Sequence, residues 1–211
     1  LKAARLQGMH SRGGGDEPGP AAAPRGAGPG ELLAWALGTS VPAGAALLCA
    51  AGWTRKVRWA WTLLGALLLD GLCLALKGLL RQPRPSPRPA LVLPSEGPYG
   101  MPAEHAAFAA FLVLHLGLRT ARSRRLSPAL RALACAGLAT WAAGLAAARH
   151  HAGAHSAAQL AAGAALGSVA GVLWTALEGA VRGPLLQVQR FVDSACACLE
   201  LLYGDGRPHA D

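Results

Sequence analysis

Apolar blocks alternate with short polar stretches through most of this chain, and that alternation constrains its fold more than any other feature. The blocks lie at 32–53, 59–76, 129–148 and 156–177, with a further helix beginning over 105–118. A helix needs about 20 mainly apolar residues to cross a bilayer. Hydrophobic residues make up 53% and charged residues 15% of the chain, and the apolar ones come in blocks. That pattern predicts a membrane protein rather than a soluble core. The expected fold is all-α: a polytopic membrane helical bundle of about five spanning helices plus a C-terminal interfacial helix.

The chain holds neither Asn nor Ile, and only Lys2, Lys56 and Lys77 stand against seventeen Arg. We read this as a GC-rich coding background in which Ala replaces larger apolar residues, which blunts hydropathy and blurs helix ends. Without Asn there is no N-linked glycan to mark an outward-facing loop.

One domain is expected at 211 residues. Residues 1–30, rich in Gly, Pro, Ala and Arg, read as a disordered segment with no secretory leader pattern. Residues 31–180 read as the membrane domain, and 181–211 as an amphipathic segment and tail. Within the tail, 184–203 suits an interfacial helix or, alternatively, a poor sixth span. Pro42 predicts a kink in the first span. The run AAGAALGSVAG in the fifth predicts close helix packing.

The net charge of +9 raises nucleic acid as a partner. The Arg residues sit between apolar blocks, however, and no nucleic-acid-binding signature is present, so that class is excluded. Topology explains the charge instead. The stretches 54–58 and 119–131 are basic and carry no acid. The positive-inside rule places both in the cytoplasm, which puts the remaining polar stretches on the opposite, lumenal side. Three of the five cysteines lie in apolar blocks, and Cys196 and Cys198 have no nearby His or Cys to complete a zinc site. All five read as small hydrophobes, with lipidation of Cys196 or Cys198 as an alternative.

Two polar islands carry the chemistry. The first runs from Lys77 to His105, and the second is RHHAGAHSAAQ at 149–159. Cleaving a phosphate ester or anhydride without a metal requires fixed cations, a nucleophile and an acid. Lys77, Arg84 and Arg149 supply cations, and His105 and His155 change charge near neutral pH. A helix starting near His105 turns backbone N–H groups toward an anion. No ligand pattern calls for a metal, and no cofactor is expected. His150 and His151 read as polar interface, and Arg81 and Arg88 as headgroup or solvated charges. Asp70 lies on about the same helix face as Lys77. It reads equally as a partner for Lys77 or an active-site Arg and as a bond to a neighbouring helix.

The spacing resembles the type 2 phosphatidic acid phosphatase (PAP2) superfamily, whose fold is haloperoxidase-like. Lys77 with Arg84-Pro85 matches its K-x6-R-P motif, Pro102-Ala103-Glu104-His105 is similar to P-S-G-H, and Arg149, His155 and Gln159 are similar to S-R-x5-H-x3-D. The resemblance implies His155 as nucleophile, His105 as the acid for the leaving group, and Lys77, Arg84 and Arg149 as phosphoryl ligands. Gln159, four residues past His155 and so on its helix face, is expected to orient the imidazole.

Three positions depart from the motifs: Ala103, Glu104 and Ala148. Glu104 puts negative charge beside an anion site, so it must point away or pair with an Arg. Gln82-Pro83-Arg84-Pro85, Tyr99-Gly100-Met101-Pro102 and Gln159 look most like the branch that acts on dolichyl diphosphate. That likeness implies a polyprenyl (dolichyl) diphosphate substrate, an endoplasmic reticulum membrane location and a site facing the lumen. Another lipid phosphatase of the superfamily, or a non-enzymatic homologue, is the alternative.

Overall fold

A computed structural model describes residues 41–86 and 97–203. The expected disordered segment 1–30, the start of the first block, and Arg88 lie outside the described residues. Among the described residues six helices follow in order: α1 Val41–Thr54, α2 Val57–Leu80, α3 Glu104–Ala121, α4 Pro128–His151, α5 Ala157–Ala180 and α6 Arg182–Tyr203. Pro42 sits in the first turn of α1 as described, so the predicted kink falls at the edge of the described chain.

Local chemistry sets the helix ends. Arg81 takes a left-handed conformation (φ 48°) and ends α2 by donating its N–H to the Lys77 carbonyl at 3.0 Å. Ser127 caps α4 with Pro128 at its start. Ser156 and Gln159 form a reciprocal capping box at the start of α5. The helices run several residues past the apolar blocks, so Lys77 and Arg149 stand in last helical turns rather than in loops.

Among the described residues, three helices are long and apolar enough to cross a membrane: α2, α4 and α5. That is fewer than the five expected. As described, α1 has 14 residues, and the 18 residues of α3 include Glu104, His105, His115 and Arg119. Helix α3 turns Phe111, Leu112, His105 and His115 inward and is the most enclosed helix of the bundle. The outer faces of α2 and α5 expose Leu67, Leu68, Val169 and Leu173, as lipid contact requires.

The α3–α5 pair forms the centre. On α5, Gly163, Gly167 and Gly171 recur every fourth residue, and a Cβ on any of them would run into the backbone at Ala103, which caps α3, or at Ala107 and Phe111 within it, respectively. The Gly/Ala-rich block therefore does what its composition predicts: it lets two backbones touch. Trp174 of α5 stacks on Trp61 of α2 with ring centroids 4.5 Å apart, and its Nε1 donates to the Trp61 carbonyl at 3.1 Å. Gly65 leaves room beneath that indole and Phe111.

A buried polar knot ties α2, α3 and α5 at the end of the bundle away from the two islands. His115 lies between Thr62 (3.1 Å) and Thr175 (2.9 Å), with Arg119 and Glu178 beside it. Helix α6 is amphipathic and leaves Phe191 and Leu186 exposed. Its Gln189 accepts from the N–H of Val57 at 2.8 Å and donates to the Arg55 carbonyl at 3.1 Å, clasping the turn between α1 and α2.

Candidate active site

The alternating direction of α2 to α5 brings the C-termini of α2 and α4 to the same end as the N-termini of α3 and α5. All six expected side chains gather there. Lys77 comes from the last turn of α2, and Arg84 from the chain leaving it. His105 comes from the first turn of α3, and Arg149 from the last turn of α4. His155 lies in the α4–α5 turn, and Gln159 in the first turn of α5. Arg149 and His155 are fully buried, and Lys77, His105 and Gln159 nearly so. Burying this much charge requires mutual compensation or an anionic guest.

His155 is held on both sides. Its Nδ1–H donates to the carbonyl of Gly100 at 2.9 Å. A carbonyl only accepts, so this bond fixes the tautomer and leaves the lone pair on Nε2. Nε2 faces Nη1 of Arg84 at 3.2 Å, and the same Nη1 donates to the Ala154 carbonyl at 3.0 Å. Nε of Arg84 donates to Gly97 at 3.2 Å. The α4–α5 turn that presents His155 depends on Gly153, whose φ of +69° is left-handed. His150 is exposed, and its ring nitrogen donates to the His155 carbonyl at 3.2 Å.

Gln159 does not orient the imidazole. Its Nε2 donates to the Pro83 carbonyl at 2.8 Å and to Oε1 of Gln82 at 3.3 Å. Its Oε1 accepts the Ser156 N–H at 3.1 Å. Gln159 is thus a clamp that fastens the chain before Arg84 to α5. The same chain pairs with the segment before α3: Pro83 and Tyr99 form an antiparallel bridge, and Gly100 N–H donates to the Gln82 carbonyl at 2.8 Å. Gly100, which holds His155, was not singled out from the sequence. Its contribution is a carbonyl, which every residue has. The available signal was its lack of a side chain, since a Cβ there would lie 2.5 Å from Oε1 of Gln159.

Glu104 pairs with a lysine, not with an arginine. Its Oε2 lies 2.6 Å from Lys77 Nζ, and its Oε1 lies 3.5 Å from Nδ1 of His105. Asp70 stands exposed on α2, and no hydrogen bond or ion pair to it is found among the described residues. The carboxylate that meets Lys77 is therefore Glu104. Ala103 is fully buried, and its N–H donates to the Gln159 carbonyl at 3.2 Å.

Burial and positive charge dominate the electrostatics of this end. Burial, then the charges of Arg84, Arg149 and Lys77, lower His155 to about 3, against the opposing pull of the Gly100 carbonyl. His105 is lowered well below the usual imidazole range by burial, then by Arg149, His155, Lys77 and Arg84. Both imidazoles are therefore neutral at pH 7. The same three cations, Lys77, Arg84 and Arg149, act on both imidazoles.

A bundle with these helix directions and this polar end defines a multi-pass membrane protein with the transmembrane PAP2 phosphatase fold. The fold is similar to the crystal structure of the first transmembrane PAP2 type phosphatidylglycerolphosphate phosphatase from Bacillus subtilis. The TM-score is 0.58 at 17% identity, covering 72% of this chain and 76% of that one. The family model of the PAP2 superfamily matches residues 59–182. No curated protein matches the sequence. The chain belongs to the PAP2 superfamily.

Proposed function

We propose that this protein hydrolyses dolichyl diphosphate to dolichyl phosphate and inorganic phosphate through a phospho-histidine intermediate. The observation that carries the reading is the gathering of Lys77, Arg84 and Arg149 around two buried, neutral imidazoles, one with its tautomer fixed. Nε2 of His155 attacks the terminal phosphorus, and the bond from that phosphorus to the bridging oxygen breaks. Arg84 and Arg149 hold phosphoryl oxygens as charge shifts onto them, and Lys77 adds a compact third cation.

His105 gives a proton to the leaving lipid phosphate and then takes one from the water that cleaves the phospho-histidine. Its low proton affinity is set by burial and by the cations. A diphosphate brings negative charge that offsets those cations, so His105 gains its proton together with the substrate. We further propose an endoplasmic reticulum membrane location with the site facing the lumen. The basic residues at 54–58 and 119–131, at the other end of the helices, support that orientation.

A second reading, a non-enzymatic homologue, draws on Glu104 holding Lys77 and on alanine at 103 and 148. One experiment separates the readings. Purified protein and His155→Ala are assayed for phosphate release from dolichyl diphosphate, from a shorter isoprenoid diphosphate and from phosphatidate. Release that prefers dolichyl diphosphate and is lost in His155→Ala is the expected result. Release unchanged by the substitution would overturn the mechanism. A preference for phosphatidate or the short diphosphate would move the substrate within the superfamily.

A further inference from the structure

Lys77 and Glu104 come from helices that meet at the proposed site, and both side chains are nearly enclosed, at 5% and 11% exposure. Their 2.6 Å contact is short, as expected of a charge-assisted bond in such surroundings. Glu104 is the first residue of α3, where backbone N–H groups lack helical partners and Ala103 offers no side-chain cap. A negative group is favoured at that helix end. The carboxylate therefore sits where an anion is most stable: on a lysine, beside His105, at a helix N-terminus. A phosphoryl group bound by Lys77 needs the same ammonium protons and the same favourable potential. Two anions at this spot repel each other with little water to screen them.

We propose that Glu104 is a displaceable internal anion that occupies the Lys77 end of the phosphate site at rest and must yield it to an incoming phosphoryl group. The inference rests on the phosphate-site reading above and deepens it. Glu104 weakens the hold on any phosphate, substrate and product alike. Its return to Lys77 expels inorganic phosphate after hydrolysis, so the enzyme turns over against its own product. A lipid substrate recovers the lost affinity through its hydrocarbon chain, whereas free phosphate has no such compensation.

The test is equilibrium binding of inorganic phosphate to the purified full chain in detergent, for wild type, Glu104→Gln, Lys77→Met and the double variant. Glu104→Gln keeps the side-chain shape and removes the charge. It is expected to tighten phosphate binding by at least about tenfold, to deepen product inhibition, and to lower KM more than it changes kcat. The tightening must vanish in the Lys77→Met background, because the two substitutions act on one contact. A folded Glu104→Gln protein that binds phosphate no more tightly than wild type overturns the inference alone. Wild type that binds no phosphate overturns the phosphate-site reading and this inference with it. Infrared difference spectra of unsubstituted protein give a readout independent of any variant's folding. Phosphate addition must shift a carboxylate stretch, and a spectrum without that shift also overturns the inference.

Discussion

The carbonyl of Gly100 receives the Nδ1–H of His155 at 2.9 Å, so the backbone of one polar island sets the tautomer of the histidine in the other. Gly100 is itself placed by Gln159, whose amide fills the space where a Cβ on Gly100 would be.

Gly100→Ala tests that placement. The added methyl overlaps the Gln159 side chain, so either the clamp or the carbonyl must move. A shift of about 1 Å at a catalytic group costs about 100-fold in rate, and we expect a fall in kcat of that order. Steady-state phosphate release measures it, and a near wild-type kcat would show that the carbonyl does not position His155.

Gln159→Glu probes why an amide, rather than an acid, occupies this position. The side chain donates to the Pro83 carbonyl at 2.8 Å and accepts from the Ser156 N–H at 3.1 Å. A carboxylate keeps the second role and turns the first into repulsion between oxygens. The expected loss is about 1–3 kcal/mol of stability, seen as a lower unfolding temperature in detergent. Activity falls too, because the released segment carries Arg84. An unfolding temperature equal to wild type would mean that the clamp contributes nothing.

Stability must depend on pH in a defined window. His155 titrates at about 3 in the folded protein, against about 6.5 in an unfolded chain. Between those values the unfolded chain binds a proton that the folded protein refuses, so stability rises with pH across the window and levels off above it. The unfolding temperature is expected to drop as pH is lowered from about 6.5 toward 3, less steeply in His155→Gln. His105 is lowered in the same direction, so part of the slope remains in that variant. Identical slopes in the two proteins would remove His155 from the effect.

His115→Ala separates structure from chemistry. His115 bonds Thr62 and Thr175 and is fully buried. It lies ten residues along α3 from His105, about 15 Å at helical rise. The substitution is expected to cost about 1–3 kcal/mol and to leave kcat per folded molecule unchanged. Measuring both in one preparation decides it, and a selective loss of kcat would link the knot to catalysis.

The meeting of the six candidate side chains at one end was legible because motif spacing survives translation into helix ends. Lys77 and Arg149 lie a turn inside helices whose apolar blocks stop earlier, yet the spacing still brought them to one end. Partners were less legible. The sequence places Gln159 on the same helix face as His155, but spacing along a helix says nothing of Pro83, 76 residues away, which takes its amide. Glu104 was expected to point away or pair with an arginine, and its lysine partner follows from how α2 meets α3 rather than from the excess of arginine. The number of long apolar helices among the described residues is smaller than the five expected spans, because the first block is described only from Val41 and α3 carries polar residues. Helix α3 is polar where it faces inward, and hydropathy does not register which way a side chain points.

The glycines on α5 also act as a gauge. His105 rides on α3, while His155 is held just before α5, and the separation of those helices is set by the missing Cβ atoms of Gly163, Gly167 and Gly171. The gap between proposed acid and proposed nucleophile is thus fixed by atoms that neither imidazole touches. Exchanging one of these glycines for alanine inserts a methyl-thick shim between the two halves of the proposed reaction.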